Sequence, residues 1–153
     1  MIAYVVGFAF RPRLTGMEVV LIRKTKPAWQ AGKLNGVGGK IEAGELATEA
    51  MAREFEEETG VVLNDWVSFT EMRCKDCVVY CFAAWLPNKA TPHTTTEEGV
   101  EVGRWTSDGK FSLPNLDWLI PMAKLALEER HEGLPSIPKI LIFDSFDSAT
   151  CRV

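Results

Sequence analysis

Residues 39–61, GKIEAGELATEAMAREFEEETGV, constrain what this chain can fold into more than any other stretch. They overlap a segment, residues 25–44, that holds Gly32, Gly36, Gly38, Gly39 and Gly44. Glycine at that density marks a loop whose backbone must approach something closely. Residues 45–59 then predict a helix, with Leu46, Ala47, Ala50, Met51 and Phe55 at helical spacing on its apolar side. Gly60 supplies the left-handed stop expected just past a helix end. On that helix Glu54, Glu57 and Glu58 stand at i, i+3 and i+4, which puts their carboxylates on one face with Cβ atoms about 5–6 Å apart.

Like charges crowded into the last turns of a helix are unfavourable, because the helix dipole prefers cations there. A sequence that keeps them gains something else, and a divalent metal ion is the simplest gain: hard cations such as Mg²⁺ take oxygen ligands. An acidic run alone is more often a solvated face. Here the flanks argue otherwise. A glycine loop enters the helix, Gly60 closes it, and Arg53 sits beside the carboxylates, where a forked guanidinium can hold one in place.

The rest of the chain reads as strands around this unit. Residues 2–10 and 17–24 predict two strands with a polar loop holding Pro12 and Gly16 between them. Residues 66–73 and 77–86 predict two more, joined by a turn at Lys75-Asp76. Residues 88–100 read as a mobile, turn-rich loop, and a short strand near 101–106 ends in Trp105. Pro114 opens a second helix that runs to about residue 130, kinked at Pro121. Residues 138–144 predict a final buried strand. With no repeats or linker, residues 1–153 are expected to form a single domain.

Composition sets outer limits. A formal net charge of -4 is a poor basis for holding long nucleic acid, which needs a basic surface. A small polyphosphate can still bind through a bridging metal ion. No apolar run approaches membrane-spanning length, and the apolar start MIAYVVGFAF reads as a strand rather than a signal peptide, so a cytoplasmic location is expected. Cys74 and Cys77 form a Cys-Lys-Asp-Cys unit that could be read as a zinc or redox site. No second pair with zinc spacing exists, so the preferred reading is two strand-end thiols flanking a tight turn.

The box in residues 39–61 resembles that of the Nudix hydrolase family (MutT-like). That box runs Gly, five residues, Glu, seven residues, Arg-Glu, apolar, any, Glu-Glu, any, Gly, apolar. Gly39, Glu45, Arg53, Glu54, Phe55, Glu57, Glu58, Gly60 and Val61 match every position. The resemblance implies an α/β (α+β) Nudix fold, a mixed β-sheet sandwiched between α-helices. It also implies substitution by water at phosphorus, supported by Mg²⁺ (or Mn²⁺). By match to the box, Glu54, Glu57 and Glu58 would bind metal, with the Gly38 carbonyl a further ligand. Arg53 would orient a carboxylate, Glu45 would support the loop or the metal's outer shell, and Gly39 and Gly60 would support the box. Glu54 or Glu57 would be the general base. One more carboxylate would come from Glu97, Glu98 or Glu101, with Glu98 taken as the ligand. A homodimer is compatible with the family.

The flanks bear on substrate. Residues 29–40, WQAGKLNGVGGK, resemble the matching segment of enzymes that hydrolyse oxidised purine nucleoside triphosphates, with Asn35 at a base-contacting position and Lys40, a further substrate-binding candidate, at its end. Residues 113–121, LPNLDWLIP, resemble the start of their second helix, with Asn115 placed to read a purine edge and Asp117 nearby. Trp29 or Trp118 could stack on the base. Each has a plainer reading: Asn35-Gly36 as a turn pair, Asn115 as a helix cap, Trp118 as core. Leu113 stands where such relatives often carry tryptophan. The expected substrate is a small-molecule nucleotide, a purine triphosphate cleaved to monophosphate and pyrophosphate. The alternatives are a dinucleoside polyphosphate or ADP-ribose-type pyrophosphatase and, in another class, a non-catalytic nucleotide sensor.

Overall fold

The computed structural model describes residues 1–107, 111–134 and 139–142. The elements run β1 (Ile2–Arg13), β2 (Gly16–Arg23), β3 (Leu34–Asn35), β4 (Val37–Lys40), α1 (Ala47–Thr59), β5 (Val67–Arg73), β6 (Cys77–Trp85), β7 (Gly99–Gly103), α2 (Leu116–His131) and β8 (Lys139–Ile142). The strands form one mixed sheet whose main path is β3-β2-β1-β6-β5-β8, with β4 added to β1 and β7 to β2.

β1 is the centre of that sheet, and its sequence shows why. Val5 to Arg11 are all buried, as a strand covered on both faces must be. Alternation then sorts the side chains. Val5 and Ala9 join Val20, Ile22 and Val37 under Ala50, Met51 and Phe55 of α1. Val6, Phe8 and Phe10 join Phe69, Val79 and Cys81 under Leu116, Leu119 and Ala123 of α2. The sheet therefore lies between two helical layers. Burying a side chain of the size of Phe55 contributes about 2–3 kcal/mol, so each helix is held mainly by its apolar stripe. Gly7 lies between Val6 and Phe8 because α1 comes too close for a side chain: a Cβ there would stand 2.5 Å from Met51 Sδ.

Pairing along β1 positions the box. Tyr4 to Gly7 pair antiparallel with Val37 to Lys40, so Gly38 and Gly39 are fixed opposite Val6 and Val5. On its other edge β1 runs parallel to β6, a connection that needs a long crossover. The crossover contains α1.

Several boundaries differ from those read in the sequence. β1 continues through Pro12 to Arg13, where it pairs with β2. The glycine loop of residues 25–44 contains β3 and β4: backbone pairing needs no side chains, and a Cβ on Gly38 would meet Val5 O at 2.0 Å. α1 begins at Ala47, because Leu46 is its cap and the Glu49 carboxylate accepts the Leu46 N–H. β7 starts at Gly99 and ends before Trp105. α2 starts at Leu116, with Pro114 in the turn before it. The final strand spans residues 139–142, and the rest of the expected 138–144 lies outside the described residues.

One reading is corrected. Cys74 and Cys77 are joined by a disulfide, with their Cα atoms 5.3 Å apart across the β5–β6 turn. The tight turn that was expected to separate two thiols is what brings them within bonding reach. The loop expected over residues 88–100 gives way to β7 at Gly99, and the segment before it hydrogen-bonds to the rest of the fold. Buried Arg11 donates through Nη1 to the carbonyls of Pro87, Asn88 and Ala90, and the Thr95 hydroxyl donates to the Glu57 carbonyl.

Candidate functional site

The box glycine and the helix meet face to face. Gly39 lies on β4 and Glu54 on α1, and the Glu54 carboxylate covers the glycine Cα so closely that a Cβ would fall 2.3 Å from Oε1. Only glycine fits beneath it. Arg53, on the next helical position, ties the loop to the helix. Its Nε and Nη2 donate to Glu45 Oε1 and Oε2 at 2.8 and 3.0 Å, a fork on a carboxylate. Nη1 donates to Glu54 Oε1 at 2.8 Å, and Nη2 also reaches the Lys40 carbonyl at 3.1 Å. The Glu45 carboxylate additionally accepts the Glu42 N–H at 3.0 Å. Hydrogen bonding from Arg53 holds Glu45 below its ordinary value of 4.5, despite partial burial.

The other carboxylates face a second segment. Thr96 donates its hydroxyl to Glu58 Oε2 at 2.8 Å and accepts the Glu98 N–H at 3.1 Å, so one side chain joins the helix to the approach of β7. Glu98 is buried, with Oε2 3.0 Å from Lys24 Nζ and Oε1 accepting the Thr25 N–H at 3.2 Å. Burial raises Glu54 above its ordinary value, against the pull of Arg53 and with repulsion from Glu57 and Glu58 adding to the rise. Burial likewise raises Glu58, with Glu98 and Glu57 adding to it while Thr96 and Lys24 oppose.

Gly60 ends α1 at φ 72°, and its N–H bonds the Glu56 carbonyl at 2.8 Å. The His93 ring lies directly over it, with Cε1 2.4 Å from where a Cβ would stand. Residues 93–96 thus close the acidic end of the helix: the His93 N–H takes the Thr59 carbonyl at 3.0 Å, and the threonine hydroxyls take Glu57 and Glu58. Neither this strap nor Lys24 emerged from sequence reasoning. The available signals were a threonine run directly before two glutamates and a lysine ending an apolar strand.

A cavity of about 540 Å³ opens beside these groups, lined by Lys24, Lys26, Gly38, Gly39, Glu58, Thr96, Glu97 and Glu98 among others. Of the three downstream glutamates, Glu98 is the buried one at this cavity. Glu97 is exposed and pairs with Lys26 at 3.1 Å. Glu101 stands opposite Leu21 on β7 and is bound to Arg23. Lys40 is exposed and contributes its backbone carbonyl.

As they stand, no three His, Cys, Asp or Glu side chains among the described residues converge on one ion position. The reason is visible in the partners: Glu54 and Glu57 turn to Arg53, Glu58 to Thr96, and Glu98 to Lys24. The donor set nevertheless fits a hard divalent cation, since it consists of carboxylate and carbonyl oxygens, and a protein cation already sits on Glu98.

The expected base-binding residues divide into two groups. Leu34 hydrogen-bonds both Phe111 and Leu113, which draws the approach to α2 onto β3. Trp29, Trp118 and Leu34 pack against the cluster that holds Leu113 and Leu116. Asn115 precedes α2, but its side chain does not cap the helix, and its Oδ1 is buried without a partner. Asn35 pairs in register with Ile22 of the α1-side cluster, is buried, and accepts the Gly36 N–H at 2.8 Å. Asp117 is exposed and accepts a hydrogen bond from Ser107 at 2.8 Å.

The family model for the NUDIX domain matches residues 4–122. The chain belongs to the NUDIX domain family. Its mixed sheet between two helices is the Nudix fold. No curated protein matches the sequence. Solved structures share its fold at low identity. A MutT structure from work on Aliivibrio salmonicida and Vibrio cholerae is 22% identical, with 84% of this chain and 98% of that one covered and a TM-score of 0.63. A MutT/nudix family protein from Enterococcus faecalis is 17% identical with a TM-score of 0.60; 66% of this Nudix chain is covered, and it spans only 42% of that protein. The NUDIX domain of Shewanella oneidensis NrtR, solved with ADP ribose, is 17% identical, with 88% and 89% covered and a TM-score of 0.57. Among the described residues, no helix of this Nudix protein is long and apolar enough to cross a membrane.

Proposed function

We propose that this Nudix protein is a hydrolase that uses Mg²⁺ or Mn²⁺ to cleave a purine nucleoside triphosphate, an oxidised one preferentially, to the monophosphate and pyrophosphate. The observation that carries the reading is the arrangement around the cavity: Glu58 and Glu98 joined through Thr96, with Gly38 and Gly39 on the facing strand. Glu54, Glu57, Glu58, Glu98 and the Gly38 carbonyl would hold the cation. When bound, it neutralises charge on the phosphate oxygens and lets a water lose its proton near neutral pH. Arg53 keeps Glu54 in one orientation against Gly39. Glu54, raised by burial, is suited to take the proton from the attacking water, and Glu57 is the other candidate. Lys26 and Lys40, exposed near the cavity and the box, can meet outer phosphate oxygens.

Base recognition is assigned to the α2 approach. A buried amide oxygen without a donor, as at Asn115, is costly unless something supplies one, and the edge of a purine does. Trp29 and Trp118, packed against the α2-side cluster, supply aromatic surface, and Asn35, on the α1 side of the sheet with its Oδ1 accepting the Gly36 N–H, is the second amide of the reading. The substrate is a small molecule and the protein acts as one domain in the cytoplasm, with a homodimer compatible with the activity.

The test is a pyrophosphate- and phosphate-release screen with Mg²⁺ and then Mn²⁺. It covers normal and oxidised purine and pyrimidine triphosphates, diadenosine polyphosphates and ADP-ribose. The expected result is pyrophosphate from a purine triphosphate, fastest for an oxidised base. Turnover confined to ADP-ribose or a dinucleotide would keep the chemistry and discard the base assignment. Silence with both ions would favour a nucleotide-binding module.

A further inference from the structure

We infer that Lys24 is an internal counter-ion of the carboxylate site, holding Glu98 where a divalent cation would otherwise draw it, so that cation loading requires Glu98 to leave Lys24. This rests on the carboxylate site proposed above.

Lys24 and Glu98 form the most deeply buried ion pair among the described residues, with side chains 7% and 5% exposed and Nζ 3.0 Å from Oε2. Both groups line the same cavity as Glu58, Gly38 and Gly39, so the pair belongs to the site rather than to a distant part of the core. Lys24 is also fixed at its base. Its N–H bonds the Lys33 carbonyl at 2.9 Å, and its carbonyl accepts the Gly32 N–H at 2.8 Å. The backbone that carries the ammonium is therefore held on both sides. Glu98 in turn is linked to Glu58 through the Thr96 hydroxyl. Glu54, Glu57, Glu58 and Glu98 together carry more negative charge than Arg53 balances. A buried carboxylate needs a partner charge, and in the cation-free protein Lys24 is the one in contact. A divalent cation held by Glu58 that also recruits Glu98 competes with that ammonium for Glu98 Oε2 and is repelled by it at short range.

Removing the charge should then tighten cation binding, the opposite of what loss of an ordinary structural contact would do. The experiment measures free Mn²⁺ by electron paramagnetic resonance against the full chain, in the native protein and in Lys24→Met, Lys24→Gln and Lys24→Arg. Thermal unfolding is followed with and without Mn²⁺. Lys24→Met is expected to bind Mn²⁺ more tightly by on the order of tenfold. It should also melt earlier without the ion and gain more from adding it than the native protein does. Lys24→Gln keeps a donor for Glu98 without the charge, perturbs the fold less and should move in the same direction. Lys24→Arg should match the native affinity. If the native chain binds Mn²⁺ and the neutral variants bind it no better, Lys24 is a structural residue and the inference falls while the site stands. If the native chain binds no Mn²⁺, the carboxylate site itself falls, and this inference with it.

Discussion

The Glu54 carboxylate lies flat against the Cα of Gly39, so that a single added methyl group would stand 2.3 Å from both Cδ and Oε1. Two residues fifteen positions apart in the chain are thus a matched pair. Gly39→Ala must push Glu54 away from its place beside Arg53. Overpacking of this kind costs about 1–3 kcal/mol, and a displacement near 1 Å at a reacting group costs about 10²-fold in rate. Urea unfolding and turnover of the preferred nucleotide check both figures. The decisive comparison is the double variant: in a Glu54→Ala background, Gly39→Ala should cost little stability, because the clashing group is gone. A full cost in that background would place the strain elsewhere.

Arg53 gives a second test, because its geometry is something lysine cannot copy. The guanidinium reaches both oxygens of Glu45, one oxygen of Glu54 and the Lys40 carbonyl at once. A lysine at this position keeps one charge and loses the fork. Arg53→Lys should lower stability by about 1–2 kcal/mol, the network being partly solvated. It should lower kcat more than tenfold with KM little changed, because Glu54 loses its orientation rather than its charge. An unchanged kcat would show that Glu54 does not depend on Arg53.

How much of this could be read beforehand follows from what each residue depends on. The carboxylates of α1 were legible because helical spacing alone puts Glu54, Glu57 and Glu58 on one face. Gly39 was legible as a close approach, though not what approaches it, since that needs the register of β4 on β1. Lys24 and Thr96 were not legible. Their partners lie 74 and 38 residues away, and nothing in local pattern links a strand end to a loop. The strands β3 and β4 were hidden for a related reason: glycines that permit close backbone pairing also erase the alternating side chains by which a strand is recognised. The two tryptophans could be placed on the chain but not on one cluster, because the bonds of Leu34 to Phe111 and Leu113 are what draw β3 and the approach to α2 together.

The carboxylates also set a pH dependence whose sign can be worked out. Glu54 and Glu58 have folded values raised above 4.5, mainly by burial. In the window from 4.5 up to those raised values, the folded state holds more protons than the unfolded one, so stability falls as pH rises. Glu45 is lowered, first by its hydrogen bond from Arg53, so its contribution is present above 4.5 and is lost as pH falls through the folded value. Melting temperature without added metal should therefore peak in mildly acidic solution and decline on both sides. A bound divalent cation favours the ionised carboxylates, so the stabilisation by Mg²⁺ or Mn²⁺ should grow with pH. Glu58→Gln should flatten the decline on the alkaline side while removing activity. A metal-free profile that rises monotonically to neutral pH would contradict the burial of these groups.

The Cys74–Cys77 bond bears on stability through the unfolded chain rather than through contacts. The two cysteines are three positions apart, close the β5–β6 hairpin, and are followed into the sheet by the Cys77–Ile2 register, with the Ile2 N–H bonded to the Asp76 carbonyl at 2.9 Å. A loop this short removes little chain entropy, so breaking the bond should cost about 2 kcal/mol, or roughly 4–8 °C in Tm. Cys77→Ser, or dithiothreitol on the native chain, should give that shift. Dithiothreitol should add nothing to the variant. Alkylation before and after reduction, read by mass on the peptide spanning residues 74–77, reports whether the bond is present in the protein as purified. Cys81 should stay unlabelled until the protein unfolds, since it is buried and burial pushes its thiol far above the usual range. The hairpin lies on the β1 edge opposite β4, so reduction should leave Mn²⁺ affinity within about twofold, the level of indirect coupling between separated sites. A large loss of affinity on reduction would instead show that the hairpin holds β1 in register for the box.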